Sequence, residues 1–264
     1  MSETAAPASP APSDTPDKPS WDRARATFSA AYLHALEPII RASQTDIVSW
    51  STSGLIIEPV ESGGVILVAT DGRAFAAVFD PDAHASRAMR LTIPDSTFVA
   101  ATPPKPIPMW SEGENLEIEQ PEWAQPGIIW AWGLSICVIP KMHLPGESPE
   151  HSPMLGSESL ELGNTYAGGY RLHPEPPKLN WRGLLGRERS PSDGRVAVIP
   201  EVLGRLDRFS PLFNAPLRLD LGGPMQPIIV TAVGVENFVG MVMPCNSPLP
   251  GEPIPAWARA EAEA

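Results

Sequence analysis

Few groupings in this sequence have the types and spacing to do chemistry. Asp80 and Asp82 in FDPDAH stand two apart with His84 close behind, and clustered oxygens of this kind suit a hard cation. The same Asp-Pro-Asp following a strand is ordinary turn chemistry, because Asp side chains bond the backbone two residues on. No metal is expected there. His34, His84, His143, His151 and His173 show no repeated i, i+2 or i, i+4 pairing, so a histidine metal site is not expected either. The phosphate loop GxxxxGK[ST], a GxGxxG after a strand, the GxSxG elbow and HExxH are all absent. The expectation is a binding protein without catalysis or cofactor. A hydrolase or metal enzyme using Asp80, Asp82 and His84 stands as a remote alternative.

Two groupings suit binding. From residue 178 to 208, Lys178, Arg182, Arg187, Arg189, Arg195, Arg205 and Arg208 outnumber Glu188, Asp193, Glu201 and Asp207, against a formal net charge of −12 for the whole chain. On a helix, Arg205 and Arg208 lie three apart and reach phosphates together. The alternative is a solvated face with a Glu201 to Arg205 pair. Arg23, Arg25 and Arg41 offer a second basic group, with the same alternative. The last strand, Phe238-Val239-Gly240-Met241-Val242-Met243-Pro244, carries polarizable Met side chains, which suit a groove for varied peptides and equally suit ordinary core filling.

The elements that must position these residues are short. With 33 Pro and 21 Gly in 264 residues, turns outnumber long helices, and the length allows two modest lobes. Cys137 and Cys245 are too few for a disulfide framework, which fits a reducing cytosol. The acidic balance argues against indiscriminate coating of nucleic acid. No basic and apolar leader opens the sequence and no apolar run reaches the length of a membrane span, so a cytoplasmic location is expected.

Residues 1–20, almost all Ala, Pro, Ser, Thr and Asp, read as a disordered tail, and residues 247–264 as a second tail carrying an isolated Trp257. Phe28, Ala31, Tyr32, Ala35, Leu36, Ile39 and Ile40 predict a helix over 27–43, bent or shortened by Pro38. Strands are predicted over 54–60, 65–70 and 73–79, the last two joined by an Asp71-Gly72 hairpin turn. Further strands are predicted over 88–93, 116–119 and 128–139. A proline-rich connection over 141–177 holds one short strand near 166–172 and separates lobe 1 (21–145) from lobe 2 (146–246). In lobe 2 a helix over 199–209 begins with Pro200 at its first position, followed by strands over 216–221, 228–233 and 238–243. No repeat of solenoid period is present.

Two segments together carry a family resemblance. GGVILVATDGRAFAAVFD (63–80) resembles the strand, ATDG turn and strand in the middle domain of the bacterial DNA polymerase III β-subunit, the sliding clamp. PIIVTAVGVENFVGMVMPCN (227–246) resembles that family's C-terminal end, where a hydrophobic strand closes in VMPM and a basic residue. GLIIEPV precedes the hairpin, and RLTIP before a second helix at 95–101 and NWRGLLG (180–186) fall between the two segments, all in the right order. The sequence departs from the family at Met243-Pro244-Cys245-Asn246 and at Arg73-Ala74, and it has room for two lobes where the family has three domains.

The resemblance implies an α+β, DNA-clamp-like fold of antiparallel sheets with a few helices on one face, one full lobe and one shorter lobe. It implies a shortened, phage-type processivity factor that tethers a DNA polymerase or repair protein to duplex DNA through backbone contacts, with copies joined head to tail into a ring. The implied inner-face residues are Arg23, Arg25, Arg41, Arg205 and Arg208. The implied pocket for short hydrophobic peptides is walled by Thr70, Gly72, Arg73 and Phe75 with Val242, Met243, Pro244 and Cys245. A clamp-fold peptide-binding module that does not encircle DNA, and competes for clamp partners, is the alternative.

Overall fold

Side-chain alternation along the strands decides this architecture, because a residue and its neighbour face opposite sides of a sheet. The computed structural model describes residues 24–45, 53–105, 107–111, 114–118, 126–132, 135–140, 167–169, 171–173, 179–187, 196–223 and 226–245. The expectations for both tails, for Arg23 and Trp257, for His143 and His151 and for most of 141–177 lie outside these residues.

The chain opens with β1 (Arg25–Ser29) and α1 (Ala30–Thr45). The expected helix over 27–43 is thus corrected at its start: residues 27–29 belong to a strand whose Ala26 and Phe28 are buried. Pro38 does not shorten the helix, which runs on to Thr45 with Leu33, Leu36, Ile39 and Ile40 buried along one stripe. Next come β2 (Leu55–Pro59), β3 (Val65–Thr70), β4 (Ala74–Asp80), β5 (His84–Ala85), β6 (Met89–Thr92) and α2 (Asp95–Ala101). The strand expected over 128–139 is a hairpin, β9 (Pro126–Trp132) and β10 (Ser135–Pro140), preceded by the hairpin β7 (Ile107–Ser111) and β8 (Glu114–Ile118). The single strand near 166–172 is likewise two, β11 (Ala167–Gly169) and β12 (Arg171–His173).

The second half holds α3 (Trp181–Leu185), α4 (Pro200–Leu203), a 3-10 turn (Gly204–Leu206) and α5 (Phe209–Phe213). Pro200 takes the first helical turn as expected, but the helix over 199–209 is broken by that tighter turn. β13 (Leu217–Asp220), β14 (Ile228–Ala232) and β15 (Phe238–Val242) follow.

The α+β class expected from the sequence is what the chain adopts: two larger antiparallel sheets and a hairpin, with short helices. One sheet has the order β11-β10-β9-β1-β5, and the other has the order β12-β6-β2-β3-β4-β15-β14-β13. The larger sheet is continuous between the segments expected as separate lobes, because β4 pairs with β15. On one side of it Leu55, Ile57, Leu67, Ala69, Ala76, Val78, Val230 and Val242 join the core with residues of α1, α2, α4 and α5. On its other side Ile56, Val68, Phe75, Ala77 and Met241 form a second apolar layer under Trp181.

Candidate peptide groove

The two segments singled out by the resemblance meet directly. Phe75 and Met241 are register partners in the β4–β15 ladder, and the backbone N–H of Met243 donates to the carbonyl of Arg73 across 2.8 Å. Strand parity puts Phe75 and Met241 on the same side of the sheet, the side away from the long helix.

The turn between β3 and β4 is tighter than a loose loop. Asp71 N–H donates to the Ala74 carbonyl, leaving Gly72 and Arg73 as the two central residues, one step later than the Asp71-Gly72 pair expected. Gly72 has φ +84°, the region where a Cβ is penalised, so Gly suits it. The Asp71 carboxylate accepts the N–H groups of Arg73 (2.9 Å) and Ala74 (2.7 Å) through Oδ1, and its Oδ2 forms an ion pair with Arg205. Thr70 Oγ1 donates to the Ala74 carbonyl and accepts the Gly72 N–H. A residue from the second half of the chain therefore holds the turn's shape.

Residues 179–187 supply the cover of this apolar face. Asn180 caps α3 by accepting the Gly183 N–H, and the helix stops at Gly186. Trp181 then lies over Phe75 with ring centroids 5.6 Å apart. Its Nε1–H donates to Glu58 at 3.3 Å, and Arg182 pairs with the other oxygen of Glu58 at 2.8 Å while stacking on the Trp181 ring at 4.0 Å. Beyond Trp181 a cleft of about 160 Å³ is lined by Ile66, Ala77, Phe79, Trp181, Glu236, Asn237, Phe238 and Val239.

Of the residues expected in the pocket, Gly72, Arg73 and Met243 are exposed, Pro244 and Cys245 are half-buried, and Thr70 and Phe75 are buried. Val242 is corrected: its side chain points to the helix side and is fully buried in the main core, because it is one residue out of phase with Met241. The outer face belongs to Met241 and Met243. Trp181, Ile66, Ala77 and Val239 were missed as lining residues. Their signal was the apolar residues on both faces of β3 and β4, which call for a cover on each side. The cleft shares no lining residue with the expected pocket and lies on the far side of the Phe75–Trp181 pair from Met243.

The expected DNA-contacting arginines are differently placed. Arg208 donates to Glu37 at 2.5 Å and to the His34 carbonyl at 2.9 Å, and Arg41 donates to Glu37 at 2.6 Å and pairs with Asp95. Arg205 is spent on Asp71 rather than on Glu201 or solvent. Arg25 lies exposed in β1. Around these helices Glu37, Asp95, Glu201 and Asp207 oppose Arg41, Arg205 and Arg208, so among the described residues of these helices acids are as many as bases or more.

Burial alone pushes the Glu37 carboxyl up, but the hydrogen bonds from Arg208 and Arg41 outweigh it and leave it below its ordinary value. Asp80 goes the other way, raised by burial although it accepts the Ser29 and Asp82 N–H groups. The Asp82 bond is the turn chemistry expected of Asp-Pro-Asp, and the Ser29 bond ties that turn to the end of β1. Among the described residues no three His, Cys, Asp or Glu side chains converge as a metal site.

No family model matches the chain, and no curated protein matches it in sequence. Among solved structures it is similar to bacterial sliding clamps. The DnaN sliding clamp (DNA polymerase III subunit beta) of Bartonella birtlesii bound to griselimycin aligns at 14% identity and TM-score 0.46, over 84% of this chain and 66% of that one. The DNA polymerase sliding clamp of Bacillus subtilis gives 11% and 0.46 over 89% and 67%, and the DnaN clamp of Pseudomonas aeruginosa bound to griselimycin gives 12% and 0.46 over 84% and 65%. The chain spans about two thirds of the length of these clamps.

Proposed function

We propose that this chain is a shortened, phage-type sliding-clamp-like protein whose task is to hold short hydrophobic peptides of a DNA polymerase or repair protein, acting by capture rather than catalysis. The observation that carries this reading is the junction of Arg73 and Phe75 with Met241 and Met243. Two sequence segments, each resembling a wall of the clamp family's peptide pocket, are hydrogen-bonded neighbours on one apolar face. An apolar strip with a few convergent polar groups is what peptide capture requires.

The geometry favours the version that does not encircle DNA. Phosphate contact by Arg41, Arg205 or Arg208 would first have to break their pairs with Glu37, Asp95 and Asp71. The tethering version rests on one feature, the grouping of α1, α2, α4 and α5 on a single side of the larger sheet, as an inner lining would need. Retention on circular DNA that is lost when the circle is cut supports tethering, and indifference to DNA ends supports the module.

The docking test uses fluorescence anisotropy with a labelled hydrophobic peptide of the kind bacterial clamps bind. Saturable binding is expected, weakened about tenfold by Met243→Ala, a loss of about 1.4 kcal/mol. Met243 is 45% exposed, so this change leaves the fold intact. No binding by the native chain, or equal binding by the variant, rejects the reading.

A further inference from the structure

Among the described residues, α3 covers the outer face of the larger sheet over one part only. Phe75, Ala77 and Phe79 follow one another on that face of β4, and the small Ala77 between two aromatic rings leaves a depression. Val239, the register partner of Ala77, and Ile66, the register partner of Phe79, complete its floor. On one side Trp181 lies against Phe75, and both are buried. On the other, Ile66, Phe79 and Val239 remain half-buried around the cleft of about 160 Å³. An apolar cavity of about 150 Å³ accepts a benzene-sized ring, so this cleft is of a size for one side chain. Glu236 stands exposed on its rim.

The chain itself supplies a side chain of that kind within reach. The last described residue, Cys245, is six positions beyond Val239, so the described chain ends about 20 Å from the cleft. Residues 246–264 (NSPLPGEPIPAWARAEAEA) carry one aromatic residue, Trp257, and one cation, Arg259. The twelve steps from Cys245 to Trp257 span about 19 Å as a flexible segment and about 40 Å when extended. Their prolines push the span above the flexible value, and Pro250-Gly251 is a dipeptide at which a chain reverses. A tether whose length matches the distance holds its end at an effective concentration of millimolar order, at which even a weak contact with one ring is populated.

We propose that residues 246–264 of the same chain occupy this cleft, the Trp257 indole filling it beside Phe79 and Trp181 and Arg259 pairing with Glu236. In an extended segment positions 257 and 259 point to the same side, so the ring and the guanidinium face the sheet together. The two rings in the cleft wall favour an aromatic occupant over Leu249 or Ile254, and the Glu236 carboxylate has the charge that Arg259 needs. Docked this way, the segment completes the cover that α3 begins. The proposal does not rest on the peptide-docking reading, whose groove lies on the Met243 side of Trp181.

Fluorine NMR of the full chain grown with 5-fluorotryptophan tests it, the Trp257 signal being the one lost in Trp257→Phe. That signal is expected away from its position in urea and unchanged on tenfold dilution, because the contact is intramolecular. Glu236→Lys should move it back toward the urea position, and adding Arg259→Glu to that protein should restore it. Glu236 is exposed, so its exchange leaves the fold intact. A native signal at the urea position, one that moves on dilution, indifference to Glu236→Lys, or a double exchange no better than the single overturns the proposal. A signal that answers to Met243→Ala and not to Glu236→Lys also overturns it, by putting the tail in the peptide groove instead.

Discussion

The backbone N–H of Met243 donates to the carbonyl of Arg73 at 2.8 Å, closing the end of the last strand onto the β3–β4 turn. Every feature of the candidate groove depends on that closure, because β15 contributes Met241 beside Phe75 only in the register it imposes. The turn is in turn pinned from the helix side by Arg205, so the groove's rim is tied to the core.

That pin gives the first prediction. The Asp71 side chain is 5% exposed and serves Arg205 and two backbone N–H groups at once. Asp71→Ala should cost about 1–3 kcal/mol, the penalty for taking the acceptor from the Arg73 and Ala74 N–H groups, because Arg205 is 22% exposed and can turn to water. Asp71→Asn keeps an acceptor for the two N–H groups and should cost visibly less. Urea denaturation measures both, and an Asp71→Ala protein as stable as the native chain would show that the pair holds nothing.

This connection was not legible beforehand. The spacing of Arg205 and Arg208 suits a phosphate pair or a solvated face with Glu201, because a helical wheel shows spacing but not what another segment brings opposite. The acids that claim them, Asp71 and Glu37, are remote in sequence, and Asp71 had already been explained as a turn former. The hairpin and the last three strands were legible because alternation and turn chemistry are local. The meeting of residues 63–80 with 227–246 was legible only through the family resemblance. Broken elements were the hardest. β9 and β10 merge into one apolar run, and β1 and α1 share an apolar phase, so periodicity did not mark their boundaries.

Two carboxylates should give stability slopes of opposite sign. Glu37 is held below its ordinary value, so its contribution is complete above the unfolded carboxylate range and disappears as pH falls through its folded value. The stability of the native chain relative to Glu37→Gln should therefore shrink from about pH 6 to about pH 3. Asp80 is held above its ordinary value, so its charged form is a penalty at neutral pH that protonation relieves. The native chain relative to Asp80→Asn should gain over the upper part of the same interval. Equal slopes in the two comparisons would contradict these environments.

The two thiols should separate by reactivity. Burial raises Cys137 to about 11 and its side chain is enclosed by Trp130 and Ile139, so its thiolate is scarce and shielded. Cys245 is half-buried at the end of the groove, its backbone N–H bonded to the Ala197 carbonyl. A thiol reagent at neutral pH should label one site quickly, lost in Cys245→Ser, and a second only after denaturation. A docked peptide should slow the fast reaction, which links the assay to the proposed groove.

Gly64 and Gly72 set apart backbone strain from steric conflict near that groove. Both have positive φ, +79° and +84°, so an Ala at either incurs the strain of order 1–3 kcal/mol that such conformations impose on a side chain. At Gly72 an added Cβ meets nothing within 4 Å, and the strain should be the whole cost. At Gly64 it would stand 2.7 Å from the Phe79 ring and 2.8 Å from the Asp80 carbonyl, neither of which retreats freely. Phe79 lines the cleft beside Trp181, and the Asp80 carbonyl belongs to the ladder with Val65. Gly64→Ala should therefore exceed Gly72→Ala by a further 1–3 kcal/mol or so, the usual cost of overpacking. Thermal melts of the two variants side by side measure the difference, and equal losses would mean that the ring and the strand end yield without resistance.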